Sequence, residues 1–240
     1  MSGRPRVELE VLHEDNHVLA VHKPAGMPAV PDDSGDESLL ERAKAWIAER
    51  HQKPGAVFLG VVHRLDRPVS GVLVFARTSK GAARLSESFR ARAARKVYHA
   101  VVEGEHAPGE FELEQWLWKD EARNLVLVAS AGRAGAQRAL TRVAVLAARG
   151  GRSLVRLEPA TGRPHQLRVA CAARLAPILG DLKYGARAPL ADACIALHAS
   201  FLRLPHPTRA ESLDLARLPD RAPFASFGAE LALQDSARRA

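Results

Sequence analysis

The sequence predicts an α/β (α+β) unit with a mixed, mainly antiparallel β-sheet core and flanking helices. Three observations carry this expectation. Short runs of alternating hydrophobicity separated by turn residues crowd the middle of the chain, from Lys96 to Glu158. Amphipathic segments with helix-start signals are interspersed among them. No internal repeat or composition break divides the 240 residues, a length that suits one domain or one bilobed unit with a large core.

The elements follow in order. Val7–Leu12 alternates and reads as a strand, and Glu14-Asp15-Asn16 turns into a second strand over Val18–His22. Lys23-Pro24-Ala25-Gly26-Met27-Pro28 is a rigid turn, because proline fixes φ and glycine permits reversal. Asp32 to Asp36 is an acidic loop. Ser38 caps a helix over Leu39–Arg50, with Leu39, Leu40, Ala43 and Ile47 on one apolar face. Val72–Ala76 is an apolar strand. Thr78 or Ser79 caps a helix from about Lys80 to Arg92, striped by Ala82, Leu85, Phe89 and Ala93. Strands are expected at Lys96–Gly104, Glu110–Leu117, Leu125–Ala129, Gln137–Ala147 and Ser153–Glu158. Thr161-Gly162-Arg163-Pro164 breaks the chain before a helix over His165–Arg174. Gly180–Gly185 is a loop and Ile195–Leu204 a strand that ends at Pro205-His206-Pro207. Residues 1–6 read as a tail, 7–215 as the folded unit, and the Ala- and Arg-rich 216–240 as a peripheral segment.

Charge narrows the partner. The formal net charge is +8 and the sequence pI about 10.1, which fits a polyanion; nucleic acid comes first and a membrane surface second. Aromatic residues make up 5% of the chain, too few for a single-strand binder built on stacking platforms. Arginine outnumbers lysine, and a guanidinium grips phosphate through paired hydrogen bonds. Arg77, Lys80, Arg84, Arg90, Arg92, Arg95 and Lys96 stand against Glu87 alone. The plain alternative is a solvated face, but the scarcity of acids favours phosphate-backbone contacts at Arg84, Arg90 and Arg92. Cys171 and Cys194 lie far apart in apolar surroundings and read as thiols of a reducing cytoplasm rather than a disulfide or zinc site. No apolar signal region begins the chain and no run reaches a membrane span of ~18 residues. A cytoplasmic protein with no membrane association is the expectation.

The chemistry concentrates in His63-Arg64-Leu65-Asp66-Arg67-Pro68-Val69-Ser70-Gly71. A carboxylate between two arginines, in a loop braced by a strand, is a common setting for a catalytic group. A surface Asp neutralised by its neighbours is the alternative.

With these stretches laid out, the chain resembles the RluA-type pseudouridine synthases, which isomerise selected uridines in ribosomal or transfer RNA. Lys23-Pro24-Ala25-Gly26-Met27 is similar to the family's first motif. His63-Arg64-Leu65-Asp66 with Ser70-Gly71 and Ala76 is similar to the second, which carries the nucleophilic Asp. Lys96, Tyr98, Ala100, Val102 and Gly104 follow the tyrosine strand, and Leu157 through Arg168 resembles the basic motif. Gly180-Asp181, Tyr184-Gly185, Leu197-His198-Ala199 and His206-Pro207 continue it in order. Two positions depart: Val69 stands where Thr is usual, and Ala170 where His is frequent. The chain starts at the catalytic fold, without the small N-terminal RNA-binding domain of some relatives.

The resemblance implies the pseudouridine synthase fold with a central catalytic cleft. It also implies a reaction that breaks the N1–C1′ bond, turns the uracil and joins C5 to C1′. That reaction is redox-neutral, so no cofactor or metal is expected; it needs a nucleophile, a sealed pocket and a proton acceptor. Asp66 becomes the nucleophile, attacking sugar or base, and Arg168 its ion-pair partner by family position. Tyr98 becomes a base-contacting residue, with a half-buried structural Tyr as the alternative. Leu167 packs on the other face of the base or in the helix core. A flipped uridine leaves a gap that Arg64 fills, or Arg64 clamps the adjacent phosphate; a loop ion pair is its plain reading. Arg163 suits a phosphate near a helix start. Lys23 shapes the cleft or faces solvent, and His63 heads the catalytic motif; both are placed with the substrate-binding set. His63, His165, His198 and His206 lack metal-ligand spacing and read as structural histidines. RNA is the partner, the protein a monomer needing no protein partner. The rivals are a non-catalytic RNA-binding or ribosome-assembly protein of the same fold, and a hydrolase, for which no G-x-S-x-G or ligand set is present.

Overall fold

A computed structural model describes residues 8–52, 54–191 and 194–239. Eleven strands form one sheet: β1 (Val11–Glu14), β2 (Val18–Lys23), β3 (Gly60–Val61), β4 (Ser70–Ala76), β5 (Arg95–Glu103), β6 (Gly109–Asp120), β7 (Leu125–Ala129), β8 (Gln137–Arg149), β9 (Arg152–Pro159), β10 (Leu197–Pro205) and β11 (Ser212–Ala216). The order is β1-β2-β4-β10-β5-β9-β8-β6-β7, with β3 on β4 and β11 on β10. Among the described pairings only β4 with β10 is parallel, so the mixed, mainly antiparallel sheet is observed. The long strands β6 and β8 are joined through β7 by tight connections, as local antiparallel pairing allows.

Among the described residues four α-helices accompany the sheet: α1 (Leu39–Arg50), α2 (Ser79–Arg90), α3 (Gln166–Arg174) and α4 (Gly228–Arg239). α1 begins where its chemistry dictates, because the Ser38 side chain accepts from the Glu41 N–H while Glu41 reaches back to the Ser38 N–H. Thr78 caps α2 by accepting from the Gly81 N–H at 3.0 Å. Two apolar clusters sandwich the sheet. The larger joins Leu19, Val21, Leu73 and Phe75 with α1, Leu167 and Phe224; the smaller joins Val18, Val72, Val74 and Leu85 beneath α2. Alternate residues of β2 and β4 thus serve opposite faces, as a pleated strand requires.

Several boundaries differ from expectation. The first strand is confined to Val11–Glu14, shifted toward the turn, and Val7 lies outside the described residues. α2 ends at Arg90, leaving Ala93 exposed rather than in the buried stripe. β11 pairs antiparallel with β10, a strand the sequence pattern did not announce. The segment after Ala216 is more than peripheral: Phe224, Phe227 and Leu231 are buried in the larger cluster, since aromatic rings this size repay burial most. No described helix is long and apolar enough to cross a membrane.

The parallel seam between β4 and β10 depends on one glycine. Gly71 lies opposite Ala199 with φ +126°, and a Cβ there would stand 2.3 Å from the Ala199 carbonyl oxygen. Beside it, Ser70 Oγ and His198 Nδ1 are 2.7 Å apart, and His198 Nε2 donates to the Arg217 carbonyl at 2.7 Å. Burial pulls His198 down to about 3 and His63 to about 3, and His99 to about 4, so the fold holds all three neutral. An unfolded chain takes up protons on these rings below their ordinary value of 6.5, which the folded chain resists. Their contribution is therefore complete above about pH 6.5 and is lost as pH falls toward 4. Thermal unfolding should show a melting temperature that declines across that window; a flat profile contradicts this account.

Candidate active site

The Asp66 loop is clamped through its backbone. The Val69 N–H closes a turn onto the Asp66 carbonyl at 3.0 Å, and the Ile195 N–H donates to the Pro68 carbonyl at 3.2 Å. The Arg67 carbonyl accepts from the Gly26 N–H at 2.9 Å and from Lys23 Nζ at 3.1 Å. Lys23 is fully buried and donates also to the Pro24 and Met27 carbonyls, at 2.9 and 2.7 Å. An ammonium has three protons, and three carbonyls receive them. Burial pulls Lys23 down to about 7, with the charge of Asp66 acting the other way. Lys23 thus braces the site from behind, its ammonium turned onto backbone carbonyls, and the solvent-facing alternative does not hold.

Arg67 does not neutralise Asp66, the plain alternative for this loop. Its guanidinium leaves Asp66 alone: Nε donates to the Gly26 carbonyl at 3.0 Å, and the group pairs with Asp36 and, at 3.6 Å, with Asp32. The acidic loop is the counter-charge that sequence proximity did not reveal. Arg64 is exposed beside Asp66, with no bonded partner among the described residues. His63 turns inward, stacked on Phe89 at 4.6 Å between centroids, and its Nε2 accepts from the Val74 N–H at 3.0 Å. It is structural; a ring with its acceptor nitrogen used and its face covered is not free for substrate.

The charge beside Asp66 comes from α3, 102 residues later. Arg168 Nη1 donates to Asp66 Oδ2 at 3.3 Å. The same guanidinium gives Nε and Nη2 to the two oxygens of Asp181, at 2.7 and 2.6 Å. The Arg168 side chain is 7% exposed and Asp181 1%, whereas Asp66 is 36% exposed. The Tyr184 ring lies 5.0 Å below the guanidinium carbon. Asp181 fixes the fork so that its remaining nitrogen meets the open carboxylate, a bidentate geometry lysine could not reproduce. Asp181 and Tyr184 were visible in the sequence as a Gly-Asp turn and a Tyr-Gly pair, yet no spacing assigned them a role.

A polar knot anchors the start of α3. Thr161 Oγ1 donates to Gln166 Oε1 at 2.8 Å and accepts from the Leu140 N–H at 3.0 Å. Gln166 Nε2 returns to the Leu140 carbonyl and Thr141 Oγ1, at 3.0 and 2.8 Å. Residues 166–171 are all buried, so this helix enters the interior at once. Leu167 sits in the larger core cluster with 8% of its surface open. Arg163, half-buried, donates Nε to the Arg138 carbonyl at 3.1 Å. His165, at the head of the helix, has Nδ1 2.7 Å from the Tyr184 hydroxyl and Nε2 3.8 Å from Asp66 Oδ2.

Tyr98 on β5 is half-buried and belongs to the same core cluster as Leu167. Burial, reinforced by the Asp66 charge, raises its hydroxyl above the ordinary phenol value. A neutral phenol suits contact with a base better than proton abstraction as a phenolate. A cavity of about 160 Å³ lined by His99 and Arg156 and a groove of about 480 Å³ along Trp118 and Val128 both lie away from Asp66. The basic helix α2 packs on the other sheet face and reaches the loop through Phe89 on His63. Cations on the helix and flanking it are already engaged: Arg84 with the Pro207 carbonyl at 2.7 Å and Arg90 with Glu87 on α2, Arg77 before it with Glu14 at 2.8 Å, and Arg95 at the start of β5 with Glu158.

On this sheet a half-exposed carboxylate is braced by a sealed Arg–Asp pair, an arrangement chemically suited to a nucleophilic aspartate. The family model described as RNA pseudouridylate synthase matches residues 17–173. The dual-specificity RNA pseudouridine synthase RluA of Haemophilus influenzae is 34% identical over 85% of this chain and 90% of its own. The tRNA pseudouridine synthase C of Haemophilus ducreyi is 34% identical over 90% and 93%, and the ribosomal large subunit pseudouridine synthase C of Vibrio vulnificus 33% over 85% and 64%. The solved structure of human RNA pseudouridylate synthase domain containing 4 aligns with a TM-score of 0.73 at 27% identity, covering 93% of each chain. The chain belongs to the RNA pseudouridylate synthase family, and within it to the RluA type.

Replacing Asp181 by Ala strands a buried guanidinium with one counter-charge. Denaturant unfolding should show a loss of about 3–5 kcal/mol, accompanied by a fall in single-turnover rate. Unchanged stability and rate would show that the pair does not hold Arg168.

Proposed function

We propose that this chain isomerises specific uridines of ribosomal or transfer RNA to pseudouridine, with Asp66 as nucleophile. One observation carries the reading: a carboxylate open to substrate on one side and ion-paired at 3.3 Å, on the other, to an arginine that is itself sealed against Asp181. A solvent-facing structural acid has no need of so costly a partner. The relatives are named variously for tRNA, for the ribosomal large subunit and for dual specificity, so the two substrate classes stand equally.

On this reading the target uridine leaves its stack, at a cost of a few kcal/mol, and enters between Tyr98 and the start of α3. A carboxylate oxygen of Asp66 forms a bond to the nucleoside as the N1–C1′ bond opens. The detached uracil turns, C5 joins C1′, the Asp66 bond is released, and the C5 proton departs as N1 regains one. Arg168 keeps the carboxylate charged before attack and matches its charge again on release. Tyr98 contacts the base, Leu167 offers a small apolar patch, and Arg64 and Arg163 meet the neighbouring backbone. RNA encloses the open side of the site when bound. The enzyme needs no cofactor for redox-neutral chemistry, and acts as a cytoplasmic monomer.

Tritium release from RNA labelled at uridine C5 tests the reaction. Wild-type protein should release label from unmodified ribosomal or transfer RNA, and Asp66→Asn should release none while binding RNA as before. Turnover by the variant removes the nucleophile from this account. Phosphate binding is tested separately by reversing charge at Arg84, Arg90 and Arg92. Affinity should weaken, and the slope of log affinity against log salt should flatten by about one for each phosphate no longer neutralised. An unchanged slope rejects α2 as a surface for RNA.

A further inference from the structure

We propose that His165 is a positioning residue for the nucleophile: together with Arg168 it addresses Oδ2 of Asp66, and so leaves Oδ1 as the oxygen that attacks. The inference rests on the synthase reading above and adds a residue and an atom to it. Arg168 Nη1 lies 3.3 Å from Oδ2 and His165 Nε2 3.8 Å from the same atom, while Oδ1 accepts no hydrogen bond among the described residues. Two groups on one oxygen make the carboxylate unsymmetrical. The unengaged oxygen carries the more available lone pairs.

The tautomer follows from the neighbours. Tyr184 Oη accepts from the Val126 N–H at 3.1 Å, and among the described residues His165 Nδ1, at 2.7 Å, is the acceptor for its proton. Nδ1 is then the lone-pair nitrogen and Nε2 carries the hydrogen toward Asp66. The backbone is arranged for this placement. His165 is the N-cap of α3 yet makes no side-chain cap bond, and it adopts the left-handed conformation with φ +49° and ψ +17°. A residue that gives up its cap bond and accepts an uncommon backbone conformation is held for its side chain. At 3.8 Å the Nε2 contact is longer than a hydrogen bond, and a small rotation of the exposed carboxylate closes it.

The charge of this ring therefore matters. Facing it are Asp66 from the catalytic loop, Arg168 from its own helix, and Asp181, Lys183 and Tyr184 from the segment after α3. Burial lowers its pKa, the charges of Arg168 and Lys183 act in the same direction, and Asp66 and Asp181 oppose them. At neutral pH the ring is neutral and polarises Oδ2 gently. Once protonated, it forms a full ion pair with Asp66, draws the carboxylate away from C1′ and slows attack. The acid side of the rate profile therefore carries the protonation of His165.

The test is the pH dependence of single-turnover tritium release with full-length protein and RNA it accepts, for wild type, His165→Asn and Tyr184→Phe. Asparagine tolerates the left-handed backbone, is too short to reach Asp66 and cannot become charged. His165→Asn should cut the neutral-pH rate by between about tenfold and a hundredfold, as small misplacements of reacting groups do, without changing RNA affinity. Its acid limb should move to lower pH. Tyr184→Phe keeps the ring on Arg168 but removes the proton given to Nδ1, so protonating His165 becomes easier and the acid limb should move to higher pH. Opposite displacements cannot arise from a general loosening of the fold. Limbs that stay in place, or move together, overturn the His165 role. If His165→Asn does not fold, the direction of the Tyr184→Phe limb decides alone. A wild type that releases no label from any RNA overturns the synthase reading and this one with it.

Discussion

A guanidinium removed from water must find its counter-charges inside the protein, and Arg168 finds two that are not equivalent. Asp181 is as buried as Arg168 and takes two of its nitrogens; Asp66 is open and takes one. The inner pair tolerates burial because it is bidentate, and the outer contact inherits its direction from the inner one. Everything that fixes Arg168 thus also fixes the Asp66 carboxylate: the Thr161–Gln166 knot at the head of α3, the turn carrying Asp181, and the Tyr184 ring beneath the guanidinium.

A second constraint works on the backbone rather than on charge. Lys23 spends its whole ammonium on carbonyls of two segments that are 44 residues apart, and so ties the first turn of the fold to the Asp66 loop. With Gly26 and Ile195 donating to the neighbouring carbonyls, the loop is held from three directions while its one reactive side chain stays unburied. Rigid support below and access above is the condition for a preorganised nucleophile.

Much of this was legible in the sequence where the cause is local. α1 starts at Ser38 because the Ser38–Glu41 box is written in adjacent residues, and the strands from Lys96 to Glu158 follow from alternation that burial then rewards. Asp66, Tyr98 and Arg168 stood out through the ordered resemblance, since nothing in their separations of 32 and 70 residues says that they meet. Charges misled most where their partners are distant in sequence. Arg67 looked like the neutraliser of Asp66 but belongs to Asp32 and Asp36, and the acid-poor stretch around α2 draws on Glu14 and Glu158. The histidines divide likewise: His198 and His206 are hydrogen-bonded structural residues, as their spacing implied, while His165 faces Asp66 for reasons that only the fold of α3 against the loop creates. β11 and the C-terminal aromatics escaped notice because proline and arginine around them mask short apolar runs.

The position of β10 has a consequence for synthesis on the ribosome. This strand is made after β4 to β9, yet it inserts between β4 and β5, which adjoin the Asp66 loop and carry Tyr98. Until Pro205 has emerged, those two strands lack their common neighbour, and the Pro68 carbonyl lacks the N–H of Ile195. A nascent chain therefore holds Asp66, Tyr98 and Arg168 before the strand that joins β4 to β5 is present. Closing so long a loop is slow relative to local pairing of β6 to β9, so those hairpins form first and wait. The order of synthesis makes competence a late event that arrives in one step, when a single strand zips the two halves of the sheet together.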